Sequence, residues 1–349
     1  MHSPQSPEFY RSLPKVELHR HLEGSLRLST MLELARSQGL GLPGTGQLGS
    51  LVQINEEEPY TFQNFLSKFE TLRMFYRSPE IIGRITREAI ADAAIDNVRY
   101  MELRFTPVAL SKAEGFPLSE VIDWVIEGVA QGKKEYDIDV RLIVSVNRHE
   151  SPQLAEQVVG LALDRGAAGI VGIDLAGNEA QFPAMPFSSI FKDARKDGLH
   201  VTIHGGEWGR AENIEEAILH LGAERIGHGI RVVDNPHIVD VARDCNMVFE
   251  VCVTSNYQSG VVPALGAHPL PRMLSAGLNV TINTDDPSIS RINLSHEYRL
   301  VCEDLGIPLD VLQERVLAAA RAAFLPAHER RLLVQRLTKE LASSELSQK

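Results

Sequence analysis

The chain has 349 residues, of which 44% are hydrophobic and 23% are charged, and this composition is typical of a globular protein with a sizeable core. Its formal net charge of -11 disfavours nucleic-acid binding, because contacts with a phosphate backbone require a basic surface. The three cysteines, Cys245, Cys252 and Cys302, lack C-x-x-C spacing, which argues against a disulfide framework or a zinc finger. No segment has the apolar length of a membrane span or a secretory signal, so we expect a cytoplasmic protein.

Short apolar runs rich in Val and Ile alternate along the chain with longer amphipathic segments. Eight of these runs predict strands, and most lack the strict alternation of a half-exposed sheet, as expected for parallel strands covered by helices. The predicted strands are Lys15–Leu22, Val98–Thr106, Val140–Val146, Gly169–Leu175, His200–His204, Arg225–His228, Met247–Val253 and Asn279–Asn283.

The segments between the predicted strands carry helical patterns, and Gly166 and Gly222 punctuate two of their ends. The long insert after the first strand combines a Gly/Pro-rich loop at Gly39–Gly49 with an aromatic helix around Thr61–Tyr76. The other predicted helices are Leu118–Tyr136, Pro152–Arg165, Ala211–Leu221, Pro236–Asp244, Pro308–Phe324 and Ala327–Leu341.

Eight strand–helix units in order predict an α/β fold, specifically a (β/α)8 TIM barrel with extra helices after strand 1 and at the C-terminus. The alternative is an open doubly wound sheet, which is disfavoured because no G-x-G-x-x-G follows a strand. Residues 1–349 contain no internal repeat and no linker that would divide them. We therefore expect a single domain, with residues 1–13 and 343–349 frayed at its ends.

Four predicted strands end in groups that bind metals or transfer protons, and in a barrel of this type the catalytic residues lie at the carboxyl ends of the strands. His19 and His21 are two residues apart on strand 1 and therefore face the same way. A lone histidine here would ordinarily be a buried structural residue, but a pair at this spacing after apolar strand residues favours metal ligands. His204 at the end of strand 5 and Asp285 after strand 8 complete a set of three imidazoles and one carboxylate. That set suits one zinc ion with a position open for water.

Two other interpretations of these strand ends compete with a site for one zinc ion. The segment Asp285-Asp286-Pro287 has the composition of a helix N-cap, and taken alone it favours a cap. A two-metal site generally needs a bridging carboxylate or a modified lysine near strand 4. The end of that strand reads Asp174-Leu175-Ala176-Gly177-Asn178 and contains no lysine, and Asp174 itself has a structural explanation. We therefore expect one zinc ion per chain.

Zinc makes hydroxide available near neutral pH, and hydrolysis then requires groups that move protons. Glu207, three residues after His204, is predicted to supply a proton, and His228, between two glycines, is predicted to approach the water. Each has a structural explanation by itself, as a first-turn helix carboxylate and as a core histidine in a tight strand. The coincidence of such groups at four strand ends favours a hydrolase.

These motifs resemble those of the adenosine deaminase family of the amidohydrolase superfamily, from Pro14 to about Pro287 and on through the terminal helices. The segments that carry the resemblance are Pro14–Gly24 (PKVELHRHLEG), Ile173–Gly177 (IDLAG), His204–Glu207 (HGGE), Arg225–Gly229 (RIGHG) and Asn283–Pro287 (NTDDP). The resemblance implies hydrolytic removal of an amino group from a purine ring. It also implies that the zinc ligands are His19, His21, His204 and Asp285.

The resemblance further implies roles for residues around the substrate. Glu207 would protonate N1 of the purine, and His228 would orient the water and stabilise the developing charge. Asp286 would be the acceptor that faces N7, the backbone N–H of Gly177 would face N3, and Glu23 would bind the 5′-hydroxyl group of the ribose.

Other features of the predicted pocket concern its walls. Phe65 and Phe69 resemble the hydrophobic lid of the family, although core packing explains aromatic residues at this spacing equally well. Gly205 replaces a common alanine of the family. The stretch 252–256 (CVTSN) lacks the proline that commonly follows its cysteine, and we expect this end of strand 7 to shape the substrate pocket. Trp208 would lie near the mouth or pack at the start of a helix.

The leading hypothesis is conversion of adenosine or 2′-deoxyadenosine to the inosine form plus ammonia, by attack of hydroxide at C6. Free adenine, an N6-methylated AMP and aminofutalosine stay open as substrates, and a nucleotide would require a cation at the mouth. Candidates for that cation are Arg20, Arg27, Arg104 and Arg210.

Two other classes of protein are less favoured. A non-catalytic nucleoside-binding relative would be expected to lose ligands or Glu207, and all of them are present. An amide or ester hydrolase fits less well, because Glu207 and Asp286 together suit a nitrogen heterocycle. The predicted partner is a small purine, with neither nucleic acid nor membrane, and the oligomeric state stays open.

Overall fold

The computed structural model describes residues 5–41 and 45–346. Within these residues eight parallel strands form one sheet in chain order, surrounded by helices, which confirms the (β/α)8 barrel. The strands are β1 (Lys15–His21), β2 (Val98–Phe105), β3 (Asp139–Asn147), β4 (Ile170–Ala176), β5 (His200–Gly205), β6 (Arg225–His228), β7 (Val248–Val251) and β8 (Asn279–Ile282). All eight predicted strands are present, and their bounds differ from the predicted ones by two residues at most.

Helices follow the strands on the outside of the barrel, with the predicted extra helices after β1 and at the C-terminus. They are α1 (Pro7–Ser12), α2 (Leu28–Ser37), α3 (Thr45–Val52), α4 (Phe62–Leu72), α5 (Pro79–Ile95), α6 (Pro107–Ser111), α7 (Leu118–Glu135), α8 (Pro152–Leu163), α9 (Ser188–Lys196), α10 (Glu212–Glu216), α11 (Pro236–Asp244), α12 (Val253–Gln258), α13 (Leu270–Ser275), α14 (Pro287–Ser290), α15 (Leu294–Glu303), α16 (Leu309–Ala322) and α17 (Ala327–Leu346). None of the helices in the described part of the chain is both long and apolar enough to cross a lipid bilayer.

The barrel closes where β1 meets the segment that follows β8. The backbone N–H of Asp285 donates to the carbonyl of His19 at 2.9 Å, and the N–H of His21 donates to the carbonyl of Asp285 at 2.8 Å. This seam brings together backbone from the two ends of the barrel. It thereby places three of the predicted metal ligands next to one another.

Two helices of the insert after β1 show how local sequence and burial select the fold. α4 begins after Thr61, whose hydroxyl oxygen accepts from the N–H of Asn64 at 3.2 Å and so caps the helix. Contrary to the loop expected at Gly39–Gly49, α3 begins inside that segment at Thr45, while residues 42–44 lie outside the described residues. Leu48 and Val52 are one turn apart and fully buried, so packing of an apolar face outweighs the low helix propensity of the glycines.

Helices cover parts of both end segments within the described residues. α1 covers residues 7–12 within the segment 1–13, and its Tyr10 is buried, as is the adjoining Leu13. α17 runs to Leu346, so it includes the first part of the segment 343–349, and residues 347–349 lie outside the described residues. Burial of apolar side chains stabilises the packing of these end helices on the rest of the molecule. The polar composition of the termini gives no sign of this packing.

Candidate active site

Three histidines and one aspartate converge at the carboxyl ends of the strands. His19 and His21 lie on β1, His204 lies on β5, and Asp285 follows β8. Each offers one ligand atom, and these atoms lie within 4.8 Å of one another. Asp285 Oδ1 is 3.2 Å from His19 Nε2 and 3.3 Å from His21 Nε2, and the Nε2 atoms of His21 and His204 are 3.4 Å apart.

Hydrogen bonds at the far side of two imidazoles leave their Nε2 atoms directed at this cluster. His19 Nδ1 donates to Glu250 Oε2 at 2.8 Å, and His204 Nδ1 donates to Asp174 Oδ1 at 2.9 Å. With the proton on Nδ1, each Nε2 presents a lone pair. His19 Nε2 and Asp285 Oδ1 are also buried without any hydrogen-bond partner. Lone pairs and a carboxylate at these distances repel one another unless a cation lies among them, so the residues fit a metal ion.

A second arrangement of possible ligands overlaps the first, and it combines His19, His228, Cys252 and Asp285. Burial raises the pKa of the Cys252 thiol well above its ordinary range. A cysteine binds a metal as the thiolate, so a thiol that keeps its proton is a poor ligand. The set with three histidines and Asp285 is therefore the better metal site.

A buried charge network supports the ligands from inside the barrel. Arg104 Nη2 is 2.7 Å from Glu250 Oε2, and Arg104 Nη1 is 3.4 Å from Asp174 Oδ2, so one guanidinium connects both supporting carboxylates. Arg225 Nε is 2.6 Å from the other oxygen of Glu250, and Arg225 also pairs with Glu102. All five side chains are at most 1% exposed, and removal of one partner from such a network costs about 3–5 kcal/mol.

Most of this network is not predicted by the sequence pattern. The sequence indicates a structural role for Asp174 and offers Arg104 for a phosphate at the mouth, whereas Asp174 orients His204 and Arg104 lies fully buried beneath the ligands. Glu250 and Arg225 were not singled out. A charged residue inside an otherwise apolar strand needs a partner in the barrel interior. That pattern is the sequence signal by which Glu250 and Arg225 could have been found.

Asp285 and His228 both have backbone conformations that side-chain-bearing residues rarely adopt, with φ of 65° and 58°. Such strain persists where surrounding contacts over-determine it. Ser255 Oγ donates to Asp285 Oδ2 at 2.7 Å, and Asn256 Nδ2 is 3.1 Å from His228 Nδ1. The stretch 252–256 therefore supports the site from behind, and contrary to expectation none of these residues lines the cavity.

A cavity opens above the ligand cluster. His19 is fully buried below it. The other predicted site residues all line this cavity, and they are His21, Glu23, Phe65, Phe69, Gly177, His204, Glu207, His228, Asp285 and Asp286. The structure thus brings the residues selected from sequence to one place.

Glu207 is a buried carboxyl group in the wall of the cavity. It is 4% exposed, and burial raises its pKa well above the ordinary range, with further increases from the charges of Asp285 and Glu179. Glu179 also fixes the loop, because its carboxylate accepts the backbone N–H groups of residues 206–209 at 2.9, 2.6, 2.9 and 3.0 Å. The sequence analysis did not single out Glu179, since one carboxylate in a loop carries no distinguishing spacing.

Asp286 and Glu23 present free carboxyl oxygens to the cavity. Burial raises the pKa of Asp286 well above its ordinary range, and the charges of Asp285 and Glu23 raise it further. Asp286 Oδ1 and Glu23 Oε2 are buried without a hydrogen-bond partner. A Cβ atom on residue 24 would lie 1.8 Å from Asp286 Oδ1. Any residue larger than glycine at position 24 would therefore displace the Asp286 side chain from its place in the cavity wall.

Aromatic residues of α4 and the loop after β5 form the mouth. Phe65 is buried and Phe69 is half-buried, with ring centroids 6.5 Å apart, so the pair packs on the core and lines the cavity. Trp208 lines the cavity too, and its ring lies 5.4 Å from that of Phe62 at an interplanar angle of 31°. The indole Nε1 of Trp208 is buried without a partner.

Arg73 is a cation of the cavity wall that the sequence analysis missed. It begins the short 3₁₀ turn Arg73–Phe75 after α4, and its Nε atom is buried without a hydrogen-bond partner. Burial raises the pKa of the nearby Glu23 carboxyl group, and the positive charge of Arg73 opposes part of that rise. The arginines considered from sequence do not line the cavity, and they are Arg20, Arg27, Arg104 and Arg210.

The barrel and the cluster at its carboxyl end define a hydrolase of the amidohydrolase type with a candidate metal centre. A family model described as Adenosine deaminase matches residues 14–340. The chain is 35% identical over 330 residues to the adenosine deaminase of Klebsiella pneumoniae, which covers 94% of this chain and 98% of that protein. The chain belongs to the adenosine deaminase family, and it is a hydrolytic deaminase that acts on adenine-type C–N bonds.

Two solved structures illustrate the range of its relatives. An amidohydrolase from Burkholderia ambifaria with bound Zn has a TM-score of 0.88 at 26% identity, and the match covers 97% of this chain and 94% of that one. The N6-mAMP deaminase of Arabidopsis has a TM-score of 0.86 at 30% identity, and the match covers 95% and 99%.

Proposed function

We propose that this deaminase is a zinc enzyme that converts adenosine and 2′-deoxyadenosine, with water, into inosine and 2′-deoxyinosine plus ammonia. The observation that carries the proposal is the placement of Glu207 and Asp286, whose pKa values burial raises well above their ordinary range, in the wall of the cavity that opens on the ligand cluster. Protonated carboxyl groups are donors, and ring nitrogens of a purine are acceptors. An ester or amide substrate offers no such pair of nitrogens.

The proposed ligands of one zinc ion per chain are His19, His21, His204 and Asp285. Three imidazoles and one carboxylate suit zinc, and the relative from Burkholderia ambifaria contains Zn. When bound, zinc supplies hydroxide near neutral pH and positive charge at the reacting centre. Glu250 and Asp174 keep the Nε2 lone pairs of His19 and His204 directed at it.

Glu207 is proposed as the acid that protonates N1. Addition of the water oxygen to C6 converts the N1–C6 double bond to a single bond, so the electron pair moves to N1 and a proton is needed there. The raised pKa keeps that proton on Glu207 until N1 becomes basic. The amino group at C6 then leaves as ammonia, and the two protons of the water end on N1 and on ammonia.

Other residues of the cavity are proposed to orient the nucleoside. N7 of the purine carries a lone pair and no proton, so its partner must donate. Asp286, whose pKa is raised, meets this need in the protonated form, and its expected role as an acceptor is revised accordingly. The N–H of Gly177 is proposed to face N3, and Glu23 to accept from the 5′-hydroxyl group through its unpartnered oxygen.

An adenine compound with an anionic group is the second candidate substrate, and Arg73 is the observation that favours it. A guanidinium with an unpartnered buried nitrogen in a cavity wall suits a phosphate or carboxylate. The Arabidopsis relative is named for a methylated adenine nucleotide. Glu23 opposes this choice, because its carboxyl group lies near Arg73 and its oxygens would face those of a second acidic group.

Formation of the 6-oxopurine from adenosine, 2′-deoxyadenosine, adenine, N6-methyl-AMP and aminofutalosine tests the two candidates. The purine product is measured because the methylated nucleotide releases methylamine rather than ammonia. We expect the highest kcat/KM with the neutral nucleosides, and about one zinc per chain in the same sample. Faster turnover of an anionic compound that Arg73→Met abolishes would select the second candidate. Absence of turnover with all five in the metal-loaded protein would reject both.

A further inference from the structure

His228 has one ring nitrogen in the cavity and one directed at α12, so its tautomer decides whether it donates or accepts at the reacting centre. Nε2 is 3.6 Å from Glu207 Oε2 and 3.8 Å from Asp285 Oδ2. Nδ1 is 3.1 Å from Asn256 Nδ2. A neutral imidazole has one N–H and one bare nitrogen, so the direction of the hydrogen bond at Nδ1 fixes the state of Nε2.

The direction of that bond follows from a chain of contacts that begins at a backbone amide. The N–H of Leu270 can only donate, and it donates to His268 Nδ1 at 3.1 Å. His268 is 3% exposed, and burial lowers its pKa to about 3, so its ring is neutral near pH 7. With Nδ1 bare, the single proton of His268 lies on Nε2, which is 3.3 Å from Asn256 Oδ1.

Asn256 transmits this direction to His228. Its Oδ1 accepts from His268, so its amide nitrogen faces His228, and an amide NH₂ group only donates. Asn256 is fully buried, and its backbone is fixed on both sides, because its N–H donates to the carbonyl of Cys252 at 3.0 Å and its carbonyl accepts from Val262 at 3.1 Å. His228 Nδ1 must therefore accept, which leaves the proton of His228 on Nε2.

We propose that Asn256 and His268 are positioning residues that hold His228 as its Nε2–H tautomer, so that His228 donates a hydrogen bond into the cavity and does not accept a proton there. The catalytic meaning rests on the proposed deamination. In that reaction the Nε2–H group stabilises negative charge on the oxygen that adds to C6. Of the two water protons, the one released when the hydroxide forms restores the proton that Glu207 gives to N1, and the one that stays on the oxygen passes through the Glu207 carboxylate to the departing nitrogen.

The first test reads the tautomer directly. In zinc-loaded enzyme labelled with ¹⁵N-histidine, the nitrogen that carries a proton shows one-bond coupling to it, and the spectrum of His228→Gln identifies the His228 signals among the 12 histidines. We expect the proton on Nε2. A bare Nε2 in the wild-type enzyme would overturn the proposal.

The second test reverses the bond. In Asn256→Asp the carboxylate only accepts, and since burial disfavours a doubly protonated ring, we expect the proton on Nδ1 and a bare Nε2. Loss of one donor to a developing oxyanion lowers kcat by about 10²–10³-fold, with unchanged zinc content. The control is Gln258→Glu, which adds the same charge to α12 at a half-buried position outside the cavity.

The second test compares kcat of Asn256→Asp with the presence or absence of a proton on His228 Nε2. A doubly protonated ring that keeps Nε2–H and retains kcat supports the donor role. A bare Nε2 with kcat equal to that of the Gln258→Glu control refutes it. The tautomer is measured without substrate, so failure of every adenine compound to react would defeat the proposed function and leave the result for His228 unaffected.

A third pair of variants separates positioning from packing at His268. In His268→Gln the amide N–H group is able to donate to Asn256 Oδ1, whereas in His268→Leu nothing does and the Asn256 amide is free to turn. We expect kcat close to wild type for the first variant and about fivefold lower for the second, as for loss of one hydrogen bond of about 1 kcal/mol. Equal losses in both variants would indicate packing alone and contradict the role of His268.

Discussion

The floor and the mouth of the cavity differ in how their polar groups are used. We define the floor as His19, His21, His204, Glu207, His228, Asp285 and Asp286, and the mouth as Phe62, Phe65, Phe69, Arg73 and Trp208. On the floor, four side chains have a hydrogen-bond partner on the side away from the cavity, namely Glu250 for His19, Asp174 for His204, Asn256 for His228 and Ser255 for Asp285. At the mouth, Arg73 Nε and Trp208 Nε1 are buried without one.

This difference separates chemistry from substrate choice. Groups whose second hydrogen bond is already made hold one orientation and one tautomer, as a reaction at a fixed atom requires. Donors with no protein partner are available to whatever a substrate carries beyond its purine ring. Changes on the floor should therefore affect all substrates alike, and changes at the mouth should affect substrates differently.

The largest effect is expected from Glu207→Gln on the floor. Glutamine has no acidic proton for N1, so kcat should fall by about 10²–10⁴-fold with every substrate that the enzyme accepts. Zinc content should stay the same, because Glu207 is not a proposed ligand. Steady-state kinetics and metal analysis check both points, with Glu212→Gln on the exposed face of α10 as control. A loss of kcat confined to one substrate would contradict the proposed division between floor and mouth.

A second prediction concerns the layer behind the floor, where Glu297 on α15 accepts from the N–H and hydroxyl of Thr254. Burial raises the pKa of Glu297 to about 7, so between pH values near 4.5 and 7 the folded state binds more protons than the unfolded state. The free energy of unfolding therefore loses a contribution as pH rises through that window.

In Glu297→Gln this contribution disappears. Relative to wild type, the variant should gain about 3 kcal/mol between about pH 4 and pH 8, from 1.36 kcal/mol per unit of pKa difference. Urea unfolding across this range measures it. Glu303→Gln, at an exposed position of the same helix, should follow the wild-type curve. Parallel curves for Glu297→Gln and wild type would show that this carboxyl group is not perturbed.

Asp174→Asn tests how far the floor depends on its supports. Asparagine keeps the shape of Asp174 but lacks the negative charge that holds the proton on His204 Nδ1. Zinc affinity should fall by about 10–100-fold, as for other partners of metal-binding histidines. Competition with a chelator measures this, and the exposed Asp197→Asn is the control. Unaltered affinity would mean that the barrel alone orients His204.

The smallest effect is expected from Phe69→Ala at the mouth. Phe69 is half-buried and lines the cavity, so its loss exposes part of an apolar wall. KM should rise about tenfold while kcat stays nearly constant, because about 1.5 kcal/mol of apolar contact is lost in ground state and transition state alike. Phe116→Ala, a half-buried ring that packs on Trp124 away from the cavity, is the control. A change in kcat equal to that in KM would assign Phe69 to the chemistry.

The division between floor and mouth also explains which features of the molecule could be predicted from the sequence. The barrel and its strands were predictable because the apolar runs are short, repeated and separated by helical patterns. The floor residues were predictable because strand ends of such a barrel meet at one place, so that His19, His204 and Asp285 lie together despite their separation in the chain.

The supports and the mouth were not predictable in this way. Glu250 lies inside β7 with no motif around it, and Asn256 and His268 are twelve positions apart with a loop between them, so only the folded chain aligns them. Arg73 ends an amphipathic helix, where a charged residue ordinarily faces solvent. In each case the function depends on a contact between elements, and local spacing does not specify such a contact.

The seam between β1 and Asp285 implies an order of assembly for the site. Its hydrogen bonds join positions 19 and 21 to position 285, so nearly the whole barrel must be synthesised and folded before the last ligand reaches the first two. A chain interrupted before β8 retains three imidazoles but lacks the carboxylate that completes the set. We therefore expect tight metal binding only after the barrel has folded completely. A bound ion should then stabilise the seam and slow its opening and cleavage by proteases.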